Sequence, residues 1–251
     1  MDLSDIWPVL HTRAETWECD FNGHWNTRFY CRSFEQALRT LGASASVWHL
    51  RFHEELLGGD PAEVRAFAFG PKTAFVMTRY GHVVATALCD AAGLNHPALP
   101  PKLEARVQPR GLPDTLAPAV NPKTYPLGPV EAEDLRGQEM PFWRALARAS
   151  MGLHHYDLAL GFTIERMRTE NVGRMLVELR YTRCGGCSTD DFLLCVGGLS
   201  GASGKSFATT YGLQTISGAT VARFDLCLLA VDMKARRAIN LPAFVTAQLG
   251  G

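Results

Sequence analysis

Apolar positions along the chain follow two rhythms, and they change over in the same order twice. Between Trp25 and Leu41, the residues Tyr30, Phe34, Ala37, Leu38 and Leu41 recur every three or four positions and Gly42 follows. That spacing predicts an amphipathic helix with a glycine stop. The period then shortens to two, which predicts strands over 64–69, 73–80 and 83–89, with Gly81-His82 as a hairpin turn. Further along, Pro141 suits a first helical turn and predicts a helix running to about Gly152. Strands are predicted after it over 175–183, 192–199, 206–214 and 220–231, with Gly201 to Gly204 as a turn. One helix followed by consecutive antiparallel strands makes an α+β arrangement, a sheet wrapped round a helix.

Nine of the 14 prolines lie between Pro97 and Pro129, and neither period survives there. The stretch reads as a connector. The organisation expected is a first repeat over 1–104, a Pro-rich connector over 105–127 and a second repeat over 128–251. Three short matches in the same order support two copies of one plan. They are Asp20-x-x-Gly23 with Asp134-x-x-Gly137, Leu50-Arg51-Phe52 before Gly58-Gly59 with Leu179-Arg180-Tyr181 before Gly185-Gly186, and Asp90 to Pro100 with Asp232 to Pro242.

Composition narrows the function classes. Lys+Arg and Asp+Glu are equal at 25 each, which removes the long-range field on which nucleic-acid binders rely. The longest apolar runs fall short of the roughly 20 residues of a membrane span. The start MDLSDIWPVLHTR has no basic segment leading into an apolar one, so no export signal is expected. Seven cysteines form no small disulfide framework, and reduced thiols in a cytoplasmic setting are expected. Cys184-Gly-Gly-Cys187 lacks a second cysteine pair, with His154 and His155 as the only obvious extra donors, so a glycine turn is expected there and no metal. The stretch Gly198 to Ser206 resembles a phosphate loop, but Leu199 stands where the first glycine belongs and the segment falls between two strands.

The polar residues with the best claim to chemistry are Asp20, Asn22, His24 and then Asn26, set at alternate positions just before the first helix. Burying such groups unpaired costs roughly 1–3 kcal/mol each, so their concentration at an aromatic helix entry asks for a reason. A helix N-terminus offers unpaired N–H groups and a positive dipole end to a polarised carbonyl oxygen. Gly23 allows the backbone close approach. A carboxylate, Asp20 or Glu55, can attack a carbonyl carbon or take a proton from water, while Asn22 and His24 orient it.

The string ECDFNGHWNTRFYCRSFEQA, residues 18 to 37, resembles the signature of hotdog-fold thioesterases, Asp-x-x-Gly-His-x-Asn before a central helix with aromatic and acidic positions. Asp20, Gly23, His24, Asn26, Tyr30, Phe34 and Glu35 fall on it. The variant Asp-x-Asn-x-His-x-Asn is similar to the plant acyl-carrier-protein thioesterases and the betainyl-CoA thioesterase group, which adds Asn22. The plant family's further acidic residue, on the following strand, falls at Glu55, with Glu54 as the near alternative.

The resemblance implies a double-hotdog member of the acyl-CoA and acyl-carrier-protein thioesterase superfamily, 4-hydroxybenzoyl-CoA thioesterase-like. Asp20, Asn22, His24 and Glu55 would be catalytic, and Gly23, Trp25 and Asn26 substrate-binding. The substrate would be an acyl-CoA or acyl-carrier-protein thioester, with no cofactor, no nucleic acid and no membrane partner, and with association through sheet edges left open. Which of Asp20 and Glu55 serves as base or nucleophile also stays open. The Gly-Asp-x-Asn-Pro-x-His and His-Phe-Pro-Gly strings of hydratases and dehydratases on this fold do not occur. Competing readings are a biosynthetic acyl transferase, decarboxylase or cyclase on the same fold, and a non-catalytic acyl binder. The second repeat has Arg136 and Gln138 where the first has Asn22 and His24, so it is expected to keep the scaffold without the chemistry.

Overall fold

A computed structural model describes residues 3–249. The chain divides into two compact units, Met1–Pro109 and Arg110–Gly251. In the first, strand β1 (Leu10–Arg13) is followed by helix α1 (Thr27–Thr40), then by β2 (Val47–Phe52), β3 (Pro61–Phe69), β4 (Lys72–Arg79) and β5 (His82–Cys89), and by a short helix α2 (Pro101–Val107). Its strands pair antiparallel in the order β1-β3-β4-β5-β2. The second unit runs β6 (Lys123–Pro129), α3 (Phe142–Leu160), α4 (Ile164–Thr169), β7 (Val172–Arg183), β8 (Phe192–Ser203), β9 (Ser206–Thr215), β10 (Thr220–Asp232), β11 (Arg237–Ala238) and α5 (Ala243–Thr246). Its order, β6-β8-β9-β10-β7, repeats the first strand for strand, with β11 added beside β10. The fold is thus α+β with a helix between the first and second strands of each unit.

The helix period of the sequence becomes a buried face. Phe29, Tyr30, Phe34, Ala37 and Leu38 of α1 are all buried. Phe34 meets Phe75 of β4 at 6.2 Å, and Trp48 of β2 stacks on the same ring at 6.0 Å. The opposite face of this sheet is also covered, because Phe67, Val76 and Leu88 form a cluster with Leu103 and Val107 of α2. Strands β4 and β5 are therefore buried almost end to end, as expected of a sheet packed on both faces. Strand β9, by contrast, alternates between buried and half-buried positions along its length.

Three expectations need correction. The Pro-rich stretch contains α2 and β6. Pro101 opens α2, where a missing N–H costs nothing, and Leu103 and Val107 supply an apolar pair one turn apart. Helix α3 does not stop at Gly152 but continues to Leu160, and the stop is Gly161, in the left-handed region at φ 114°. Gly152 serves packing instead, since a Cβ there would lie 2.5 Å from Cβ and 2.8 Å from Sγ of Cys195.

The third correction concerns the register of the repeats. Leu50-Arg51-Phe52 and Leu179-Arg180-Tyr181 do fall on equivalent strands, β2 and β7. Asp134, however, matches Glu18 and not Asp20. Each closes a short 3-10 turn, Thr16–Glu18 or Ala132–Asp134, and each is buried. Each also pairs with an arginine of the following helix, Glu18 with Arg32 at 2.6 Å and Asp134 with Arg148 at 3.7 Å. The two separations agree, since 32 − 18 and 148 − 134 are both 14.

Candidate active site

The loop from Cys19 to Trp25 is a small hairpin closed by pairing between those two residues. The Asp20 N–H donates to the His24 carbonyl at 2.8 Å, and the Gly23 N–H donates to the Asp20 carbonyl at 2.9 Å. One carboxylate oxygen of Asp20 sits inside the turn and accepts the N–H groups of Asn22 (2.8 Å) and His24 (3.0 Å). Gly23 adopts φ 79° with open space around it, so conformation and not crowding selects glycine here. Asn26 then caps α1. Its side chain accepts the Arg28 N–H at 3.2 Å and its carbonyl the Phe29 N–H at 2.9 Å.

Glu55 lies three residues beyond the end of β2, on the connection to β3, and not on the strand as expected. The reason is a local irregularity, because the N–H groups of His53 and Glu54 both donate to the Val84 carbonyl. The connection is tied to the helix entry at several points. The Trp25 N–H donates to the Leu56 carbonyl (2.8 Å), the Gly58 N–H to the Gly23 carbonyl (3.1 Å), and the Leu56 N–H to the phenol oxygen of Tyr30 (2.8 Å). Arg79 of β4 anchors the other side through Asp60 at 2.6 Å and Glu54 at 3.6 Å. Asp60 in turn accepts the Leu57 N–H at 2.8 Å.

These ties bring Asp20, His24 and Glu55 together. Nε2 of His24 stands 3.3 Å from a Glu55 carboxylate oxygen, and Nδ1 stands 3.9 Å from the free oxygen of Asp20. The imidazole is 16% exposed, against 37% for Asp20 and 32% for Glu55, so it is shielded between two carboxylates that solvent still reaches. Asn22 is exposed, and its backbone N–H, donated to Asp20, ties it to the cluster. Trp25, expected to touch substrate, is buried at 3% exposure. Its indole N–H donates to Glu18 at 2.8 Å, and its ring packs on Phe29 and Tyr30. Asn26 is likewise engaged, as the helix cap.

Sequence reading missed Glu18, Asp60 and Arg79, which hold the two loops in place. Nothing short of the loop contacts singles these out, because a charged residue at such positions is usually solvated. The remaining candidate nucleophile of the loop is Cys19. Burial, reinforced by the negative charges of Asp20 and Glu18, pushes its thiol up, away from the thiolate form. Burial also pushes the Tyr30 phenol up, which keeps it protonated beside the Leu56 N–H.

No family model and no curated protein matches the sequence. Solved structures do match by shape. An acyl-ACP thioesterase from Bacteroides thetaiotaomicron aligns with a TM-score of 0.60 and 12% identity over 87% of this chain and 96% of its own. The chain has the double-hotdog fold. The 12:0-ACP thioesterase from Umbellularia californica gives 0.55 and 12% over 88% and 93%, and a TesB protein from Mycobacterium avium subspecies paratuberculosis gives 0.58 and 10% over 89% and 93%. At such identities the likeness is one of fold, and the chemistry has to be argued from the site.

Proposed function

We propose that this protein hydrolyses acyl thioesters, carried on CoA or on an acyl-carrier protein, at the loop that presents His24 between Asp20 and Glu55. The observation that carries the reading is the 3.3 Å approach of Glu55 to His24 at the entry of the apolar-faced helix α1. The two carboxylates have different roles. Asp20 has one oxygen committed to two backbone N–H groups, so it shapes the loop and aligns the imidazole. Glu55, on its own connection, is the general base.

In the proposed reaction Glu55 takes a proton from water as the water oxygen bonds to the thioester carbonyl carbon. Negative charge grows on the carbonyl oxygen near the positive end of α1. Asn26 already occupies the Arg28 and Phe29 N–H groups, so at that end the oxyanion has at most the Thr27 N–H besides the dipole field. Collapse of the intermediate breaks the carbon–sulfur bond, and the Glu55-His24 pair returns a proton to the departing thiolate. The products are a carboxylic acid and a free thiol, with neither metal nor serine required.

A panel of acyl-CoA and acyl-carrier-protein thioesters, assayed for free thiol with mass spectrometry of the acyl product, tests the reading. Hydrolysis by the wild type, with a loss of about 10²–10⁴-fold in kcat for Glu55→Gln, is expected. A product other than the free acid, or full activity in both Glu55→Gln and His24→Ala, would remove it.

A further inference from the structure

The loops around the candidate site carry apolar side chains that stand in water. Trp17, in the turn Thr16–Glu18, is 77% exposed and Phe21, in the Cys19–Trp25 hairpin, 81%. Leu57 is 48% exposed and Tyr80, at the tip of the β4–β5 hairpin, 77%. All four belong to one end of the first unit. Leu57 pairs with His24, and a Cβ at Gly58 would lie 3.1 Å from Thr16 and 3.4 Å from Cys19. Arg79, next to Tyr80, binds the Asp60 carboxylate that accepts the Leu57 N–H. The scaffold does not ask for these residues. The Glu18–Asp134 match, an offset of 134 − 18 = 116, sets Glu133 against Trp17 and Gly137 against Phe21, and the β2–β7 match, 179 − 50 = 129, sets Gly186 against Leu57. Only the hairpin position keeps an exposed apolar residue in the second unit, Ile216. Tyr80 is also held at φ 49°, a left-handed conformation that suits asparagine or glycine and costs an aromatic residue. An aromatic ring kept there, against its backbone and in water, calls for an apolar contact.

We propose that this end of the first unit docks on the surface of a phospholipid bilayer, with Trp17, Phe21, Leu57 and Tyr80 entering the boundary between headgroups and acyl chains. The choice of occupant rests on the proposed thioesterase reading and on charge. Any partner seated here covers the side from which solvent reaches Asp20 and Glu55, so one that leaves the site supplied must itself hold substrate. A bilayer does, because a long-chain acyl thioester is an amphiphile that partitions into it. A second copy of the chain does not. Segments 13–25, 53–60 and 79–82 hold six carboxylates and two cations, and both cations are engaged, Arg13 with Glu15 and Arg79 with Asp60. The patch therefore fits a zwitterionic headgroup layer and is repelled by an anionic one. Aromatic turn tips dock without a spanning helix, so the expectation of no membrane partner, which was founded on the lack of a span, does not bear on this surface.

The test is co-sedimentation of the protein with vesicles of phosphatidylcholine and with vesicles of phosphatidylglycerol. The wild type is compared with the triple variant Trp17→Glu, Phe21→Ser, Tyr80→Asn and with the control Trp7→Glu, whose exposed ring precedes β1, at the far end of that strand from Arg13. The wild type and Trp7→Glu are expected to bind phosphatidylcholine alike, and the triple variant about tenfold or more weakly. Phosphatidylglycerol should draw down less of the wild type than phosphatidylcholine does. Tyr80→Asn alone, which relieves the backbone, should bind several-fold more weakly without melting lower, and it decides if the triple variant fails to fold. Absence of wild-type binding, binding that the variants keep, or an equal loss in Trp7→Glu overturns the inference. A dimer in sedimentation velocity that the triple variant abolishes, without vesicle binding, also overturns it and gives the patch to a second copy. Thiol release from a long-chain acyl-CoA, followed in the same samples, separates the two readings. Binding without hydrolysis upholds the docking surface and removes the thioesterase, and hydrolysis without binding does the reverse.

Discussion

In the proposed reaction single side chains of the first unit divide between chemistry and support, and the division is measurable. Asp20→Asn keeps an oxygen to accept the Asn22 and His24 N–H groups, because asparagine forms the same turn. Its thermal midpoint is expected to stay near the wild type while its rate falls, whereas Asp20→Ala should lose both. Cys19→Ser should leave kcat within a few-fold, since the thiol is pushed away from ionisation and the proposed reaction does not use it. His53 gives a prediction about pH. Burial, with Arg51 and Arg106 beside it, brings its imidazole from 6.5 down to about 4, and its ring stands 3.2 Å from the Thr86 hydroxyl. Between those two values the unfolded chain binds a proton that the folded chain does not, so stability is full above about pH 6.5 and falls as the pH drops towards 4. Urea midpoints measured across that window should show a shallower pH slope in His53→Gln.

The secondary elements show what the sequence could and could not tell. Periodicity placed α1 and all the strands of 64–89 within a few residues, because one buried face of Tyr30, Phe34 and Leu38 dictates that spacing. β1 and β2 went unmarked as strands, the first being only four residues long. The end of α3 was misplaced because Gly152 reads as a stop in one dimension and as a close contact with Cys195 in three. Gly152→Ala should therefore destabilise by about 1–3 kcal/mol through overpacking, against the roughly 1 kcal/mol that alanine gains over glycine inside an exposed helix. Buried Asp157 ties the same helix to Arg174 of β7. Arg174→Met leaves that carboxylate without its partner and is expected to cost about 3–5 kcal/mol in chemical denaturation.

For the whole molecule, the repeat was legible because the Leu-Arg-aromatic strings fall on equivalent strands, while its acidic landmark was read two residues out of register. The Asp-x-x-Gly match drew Asp134 towards Asp20, yet the buried pairing to a helix arginine assigns it to Glu18. The corresponding second loop, Leu135 to Pro141, contains no histidine, and the chemistry proposed is confined to the first unit. The loop residues 20 to 26 were legible because the turn, the cap and the imidazole each need a particular residue type. Glu55 was found by resemblance alone, and its supports Asp60 and Arg79 are contacts across a loop that no local pattern encodes. Among the described residues no helix is long and apolar enough to cross a membrane.

The most direct measurement is a double-mutant cycle on thioester hydrolysis with His24→Ala, Glu55→Gln and the two combined, each checked for an unchanged melting midpoint. Residues that act as one unit lose their effect together, so the double variant should be no slower than the slower single one. Losses that multiply, or a single variant that keeps the full rate, would contradict a reaction run by this imidazole and carboxylate pair.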